Sequence, residues 1–212
     1  MPASEEGSDT SASLQWTPQI DKMLADWCDE SKCFEWMHTE SYSRYSKRAT
    51  AMTITTNITI SLTGIANLVL GATIPDTMTT SMIFGCVSIG IGIVNMVKEQ
   101  FGWSDLANTY KVSAKQWSEI TRKMQEQLII PPAGRKDCGT YLKYIKHDIT
   151  LASEHNSSIP KDIRLKCFQT FNSIPKFNIP DICGQIEHTE VYVADQPLKQ
   201  YLLDNSTKNE NN

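Results

Sequence analysis

Apolar residues crowd into the middle of this chain. From Thr50 to Val97 the only formal charge is Asp76, beside Pro75. Lys47 and Arg48 close this stretch on one side, Lys98 and Glu99 on the other. Within it Ala51, Ile54, Ile58, Leu62, Ile65, Val69 and Ala72 recur at intervals of three and four, the spacing of one helix face. Thr50, Thr53, Asn57, Ser61, Gly64 and Gly71 fall opposite, with Leu68 among them. After Pro75-Asp76 a more uniformly apolar segment follows, whose Ser81, Gly85, Ser88 and Gly92 share one face. About 20 apolar residues in a helix cross the hydrocarbon of a bilayer, and a helix satisfies its own backbone groups there. The pattern therefore predicts two transmembrane helices, 49–74 and 77–97, joined by a lumenal turn at 75–76. A buried helical hairpin of a soluble protein is the competing expectation, favoured by the threonines and by Asn57 and Asn67.

The helical pattern reaches beyond both spans. Thr17-Pro18 reads as an N-cap followed by proline at the first helical position. From there Ile20, Leu24, Trp27, Ser31, Phe34, His38, Tyr42 and Tyr45 form a stripe, with neither Pro nor Gly between Gln19 and Leu62. On the far side Trp103, Leu106, Tyr110, Trp117, Ile120 and Met124 keep the spacing up to Pro131-Pro132, Gly102 being the weak point. Two continuous antiparallel arms are predicted, 18–73 and 77–130, each about 80 Å long at 1.5 Å per residue. Their outer halves would pair as a stalk with Trp27, Phe34, His38, Leu106, Tyr110 and Trp117 in its seam. Amphipathic helices over 136–153 and from Ile159-Pro160 would pack back on it.

The fold class expected is all-α: a long antiparallel helical hairpin with two transmembrane spans and a cytosolic helical stalk, plus short packed C-terminal helices. The chain divides into a disordered acidic tail (1–15), a cytosolic helix leading to the membrane (16–48), the spans and turn, a cytosolic stalk helix (98–130), packed short helices (131–182) and a C-terminal tail (183–212). In that tail 191–193 could form a short strand. Arg44, Lys47, Arg48 and Lys98 lie at one end of both spans, so the positive-inside rule places both termini in the cytosol.

Composition narrows the chemistry. A net charge of −4 offers no basic field for nucleic acid. The six cysteines include no C-x-x-C and no close Cys/His pair, so neither a zinc site nor another cofactor is expected. Cys28 and Cys33, five apart on one helix, point to opposite sides. His38 between Glu35 and Tyr42 admits a proton-sensitive site, but a seam histidine is the simpler expectation. His147, His155 and His188 are scattered, and Gly90-Ile91-Gly92 lies inside an apolar helix rather than after a strand. No catalytic grouping emerges, and an enzyme is not expected. Asn57-Ile58-Thr59, Asn156-Ser157-Ser158 and Asn205-Ser206-Thr207 match the glycosylation pattern, but their expected locations exclude modification.

Several short elements carry a resemblance: Trp36-Met37-His38 with Tyr42 and Tyr45, Thr63-Gly64, then Leu106, Tyr110, Ile120, Pro131-Pro132 and Arg135, and last Ser158-Ile159-Pro160. Over roughly residues 25–171 the chain resembles a family of two-span membrane proteins of nucleo-cytoplasmic large DNA viruses. These look related to the bacterial SLATT two-span effector domains. Where related proteins carry Ser-Pro-x-Ile-Pro, this sequence has Asn156-Ser157-Ser158-Ile159-Pro160. The resemblance implies a membrane helical hairpin and a viral origin, and transfers no catalytic residue. Two roles follow as expectations. One is a structural or scaffolding protein of a virion or host-derived membrane (endoplasmic-reticulum-derived or internal to the virion), partnered by the lipid bilayer, by copies of itself and by viral capsid or membrane proteins. The other is an oligomeric pore lined by Thr53, Asn57, Ser61 and Gly64. A soluble helical interaction module is a third, weaker expectation.

Overall fold

A computed structural model describes residues 14–73, 77–154 and 157–184. The expected turn at 75–76, the strand at 191–193 and nearly all of both tails lie outside the described residues. Among those described the chain is all-helical, without strands. Two of its helices, α1 (Pro18–Thr73) and α2 (Thr77–Phe101), contain segments long and apolar enough to cross a membrane. They are followed by α3 (Trp103–Ile129), α4 (Cys138–Glu154) and α5 (Lys161–Phe171), with single 3-10 turns at Pro132–Gly134 and Asp181–Cys183.

Local chemistry sets the ends. Thr17 Oγ1 accepts from the Ile20 amide at 3.3 Å and Pro18 opens α1. Asp137 Oδ2 accepts from the Thr140 amide at 2.9 Å, so α4 starts at Cys138 instead of Lys136. Ile130 is extended before Pro131, as a residue preceding proline prefers, and α3 stops there. The second arm is not one continuous helix, which corrects the sequence-based expectation. Gly102 adopts φ 53°, ψ 30°, a left-handed conformation open to glycine at no steric cost. Its amide donates to Glu99 O at 3.1 Å and its carbonyl accepts from Leu106 N at 2.9 Å. One residue thereby ends α2 and starts α3.

α3 runs antiparallel along the first half of α1. Cys28 lies beside Thr121, Phe34 stacks on Trp117 and Tyr45 on Tyr110, so one helix ascends as the other descends. Two apolar cores share α1. Leu24 and Cys28 join Trp117, Ile120 and Met124 of α3 and Tyr141 and Ile145 of α4. Cys33 and Met37 join Ile159, Ile163, Cys167 and Cys183. Cys28 and Cys33 thus face different cores. The other halves of the long helices contribute almost nothing to either core. They expose Ile58 (54%), Leu62 (62%), Met82 (74%) and Ile89 (66%).

Candidate functional site

The apolar halves of α1 and α2 invert the usual arrangement, because their hydrophobic side chains face outward and the more hydrophilic part of the chain builds the core. Their polar groups are dealt with locally. Thr56, Thr59, Ser61 and Thr63 donate to the carbonyls of Met52, Thr55, Asn57 and Thr59 at 2.8–2.9 Å. Such back-bonding satisfies a hydroxyl without a second helix. The exposed amides of Asn57 and Asn67 have too many donors and acceptors for that solution, and they are the groups that call for a neighbour.

The face that each apolar helix turns inward is displaced from the one read off the sequence. Among the described residues in the apolar half of α1 the least exposed positions are Met52, Thr53, Thr56, Thr63 and Ala66, whereas Asn57, Ser61 and Gly64 are exposed. On α2 they are Phe84, Ile91, Asn95 and Lys98, whereas Ser81, Gly85, Ser88 and Gly92 are exposed. Each inward line lies about one residue, or 100°, from the small-residue line, except at Thr53, which belongs to both. A methyl group placed on Gly64, Gly85 or Gly92 would meet no atom within 4 Å beyond its chain neighbours and the backbone of its own helix turn. The chain itself therefore leaves both small-residue faces open. The signal for the inward faces was present, in Thr56, Thr63 and Asn95, but nothing in the sequence ranked it above the glycine pattern.

Where the apolar halves end, a cleft of about 580 Å³ opens between α1 and the α2–α3 junction. Thr50, Thr53, Ile54, Lys98, Glu99, Trp103 and Asp105 are among its lining residues. Trp103 stacks on Phe101 across Gly102, ring centres 5.2 Å apart.

The expected seam residues are distributed over the α1–α3 contact. Phe34 and Trp117 stack at 4.6 Å, with Trp117 buried. His38 is fully buried, its ring 5.7 Å from that of Tyr110. Tyr110 donates its hydroxyl to Ser158 O at 2.7 Å, tying the segment before α5 to α3. Burial, followed by the nearby Tyr45, raises the Tyr110 pKa. Trp27 and Leu106 are half-buried at the margins.

Other joints were not anticipated. The nearly buried Arg135 guanidinium pairs with Asp21, donates to Ile130 O at 2.7 Å and lies 4.8 Å from the Trp16 ring centre. Arg44 pairs with Asp162, and Lys166 pairs with Glu40 at 3.2 Å, fastening α5 to α1. Lys123 donates to Tyr144 Oη and Asp148 Oδ2 at 2.7 and 2.8 Å. These two partners raise its pKa, the Asp148 hydrogen bond most.

Three cysteines distant in sequence also meet: Cys33, Cys167 and Cys183, with Cys183 Sγ 3.7 Å from Met37 Sδ. A hydrogen bond from Cys183 favours the Cys167 thiolate, but the Cys33 thiol and burial outweigh it and push Cys167 up to about 12. Among the described residues no group of His, Cys, Asp or Glu is placed to hold a metal ion. Cys167 and Cys183, buried and raised in pKa, stay protonated, and such thiols pack rather than react.

Alkaline pH should loosen the other core, which holds Tyr141 with Leu24 and Cys28. Burial, and next the neighbouring Cys28, pushes the Tyr141 phenol up to about 12. Its folded pKa thus exceeds its unfolded one, so its contribution is complete below about pH 10 and is lost as pH rises through 12. A loss of about 2–3 kcal/mol from Tyr141 is expected over that window. Thermal melts of wild type and Tyr141→Phe in detergent should show a shallower alkaline decline for the variant. Parallel declines would refute the assignment.

Comparison of the chain with known protein families, with curated proteins and with solved structures returned no match.

Proposed function

We propose that the chain is a double-pass membrane protein in which a helical hairpin, 49–74 and 77–97, anchors a cytosolic helical stalk with a structural or scaffolding role. The observation that carries this reading is the outward display of Ile58, Leu62, Met82 and Ile89 on helices of spanning length. In water, so continuous an apolar surface is a liability on the scale of an aggregation site. In lipid it is the surface required. The hydroxyls on the first span close on their own backbone, which removes most of the objection that its polarity raised. Arg44, Lys47, Arg48 and Lys98 flank the spans on the side of the stalk, which favours a cytosolic stalk and termini. The sequence resemblance directs the reading to a virion or endoplasmic-reticulum-derived membrane and to viral capsid or membrane partners.

A second reading has its own support. Asn57 and the open small-residue faces would be covered by further copies of the chain, and an assembly of that kind could line a polar pore. Alkaline carbonate extraction of expressing cells tests the first reading: the protein should stay in the membrane pellet, and its release into the supernatant would end it. Dye leakage from liposomes separates scaffold from pore. A sealed bilayer at high protein density is expected of the scaffold, and leakage abolished by Asn57→Leu is expected of the pore.

A further inference from the structure

The cleft at the Gly102 break combines features that neither an apolar span nor a solvated stalk needs. On one wall Thr50 and Ile54 mark where α1 turns apolar. On the other, Lys98 closes the apolar run of α2, and Glu99, Trp103 and Asp105 follow within two turns. One cation is therefore accompanied by two carboxylates and an indole, in a volume of about 580 Å³ lined both by residues of the apolar stretch and by residues at the start of α3. We propose that this cleft binds one zwitterionic phospholipid, a phosphodiester carrying an amine or quaternary ammonium group.

The proposal rests on the membrane reading above and adds a ligand to it. Lys98 would take the phosphodiester oxygen, since an ammonium on a flexible stem serves as a point charge for phosphate. Glu99 and Asp105 would receive the cationic end of the headgroup, and the face of an indole attracts the same charge. The acyl chains would leave along Ile54 toward the apolar halves. Charge complementarity selects the occupant. A lipid with phosphate alone satisfies Lys98 but leaves two carboxylates facing an anion, and a free phosphate gains nothing from the apolar wall. Gly102 shapes the site, because its left-handed turn ends α2 directly after Phe101 and brings Trp103 and Asp105 to the cleft at the start of α3.

The test uses the full chain reconstituted in three sets of nanodiscs: phosphatidylcholine with phosphatidylethanolamine, phosphatidylglycerol, and a mixture of all three. After gentle detergent extraction, native mass spectrometry counts the lipids retained per chain. Wild type should keep one zwitterionic lipid. In mixed discs it should prefer this lipid over phosphatidylglycerol by about tenfold, the scale of two exposed charge pairs acting together. Glu99→Gln with Asp105→Asn should erase the preference while retaining binding, and Lys98→Gln should lower retention of both lipids. Glu99 and Asp105 are exposed, so these changes spare the fold, and an unchanged helical circular dichroism spectrum checks that. Retention of no lipid by wild type, or an undiminished preference in the double variant, would overturn the proposal. If that protein still resists carbonate extraction, only the lipid site is lost. If it is extracted, the membrane reading falls as well.

Discussion

Lysine at positions 89 and 93 should keep the second apolar helix out of a bilayer. Ile89 and Ile93 lie one turn apart on α2, both more than half exposed. At the centre of a span, lysine costs about 2.5–3.5 kcal/mol where isoleucine contributes a few tenths favourably. Position 93 is nearer the end and its side chain can reach toward the headgroups, so the pair should cost about 5 kcal/mol rather than the full sum. Insertion would then fail, and Ile89→Lys with Ile93→Lys should move the protein from the carbonate pellet to the supernatant or to degradation. The competing picture gives the opposite sign. If these residues face water in a soluble protein, exchanging them changes stability by less than about 0.5 kcal/mol and raises solubility. A double variant as firmly retained as wild type would therefore sink the proposed span.

How much of this could be read in advance depended on whether the deciding force was local. The first helix was legible at both ends. Thr17-Pro18 is a start signal with a mechanism, and no Gly or Pro interrupts the chain before Gly64. The break at Gly102 was visible only as a weak point. A single glycine costs a helix about 1 kcal/mol relative to alanine, which long helices routinely absorb. Whether it bends depends on how the flanking segments pack, and α3 is held by Phe34, Tyr45 and Cys28 of α1. The start of α4 was readable with more care, since Asp137 is a capping residue three before Thr140.

The candidate site divides in the same way. The apolar halves were plain from composition, but their rotation was not. Glycine and serine spacing marks where helices can approach, and the chain turns a neighbouring line inward instead. The meeting of Cys33, Cys167 and Cys183 was hidden because their sequence separations carry no ligand pattern. The ion pairs of Arg135 and Arg44 join segments more than a hundred residues apart, beyond any local rule. Several residues that carried the family resemblance are joints of the body. Arg135 holds Asp21, Tyr110 holds the carbonyl of Ser158, Ile159 enters the second core, and Trp36 meets Phe171 edge-on.

Truncating Trp117 should be the most damaging single change in the helical body. Its indole is 2% exposed, stacks on Phe34 at 4.6 Å and sits in the core that α1, α3 and α4 share. Trp117→Ala removes that packing and leaves a cavity that three long helices cannot readily close, so a loss of about 3–5 kcal/mol is expected. A domain of this size is stable by only about 5–15 kcal/mol, which makes that a fifth or more of the total. Trp117→Phe should cost clearly less, for a reason specific to this site. The indole N–H is buried without an acceptor among the described residues, and such a donor carries a penalty of about 1–3 kcal/mol that phenylalanine abolishes. Phe34→Ala should add little to Trp117→Ala, because the two rings contact each other and their losses overlap. Denaturant melts in mild detergent, read by mapping maleimide on the peptide that holds the buried Cys28, apart from the exposed Cys86, report the body apart from the apolar halves. If Trp117→Ala shifts the midpoint no more than an exposed substitution such as Lys115→Ala, the α1–α3 interface is not what holds the body together. The weight would then pass to the ion pairs around Arg135 and Arg44.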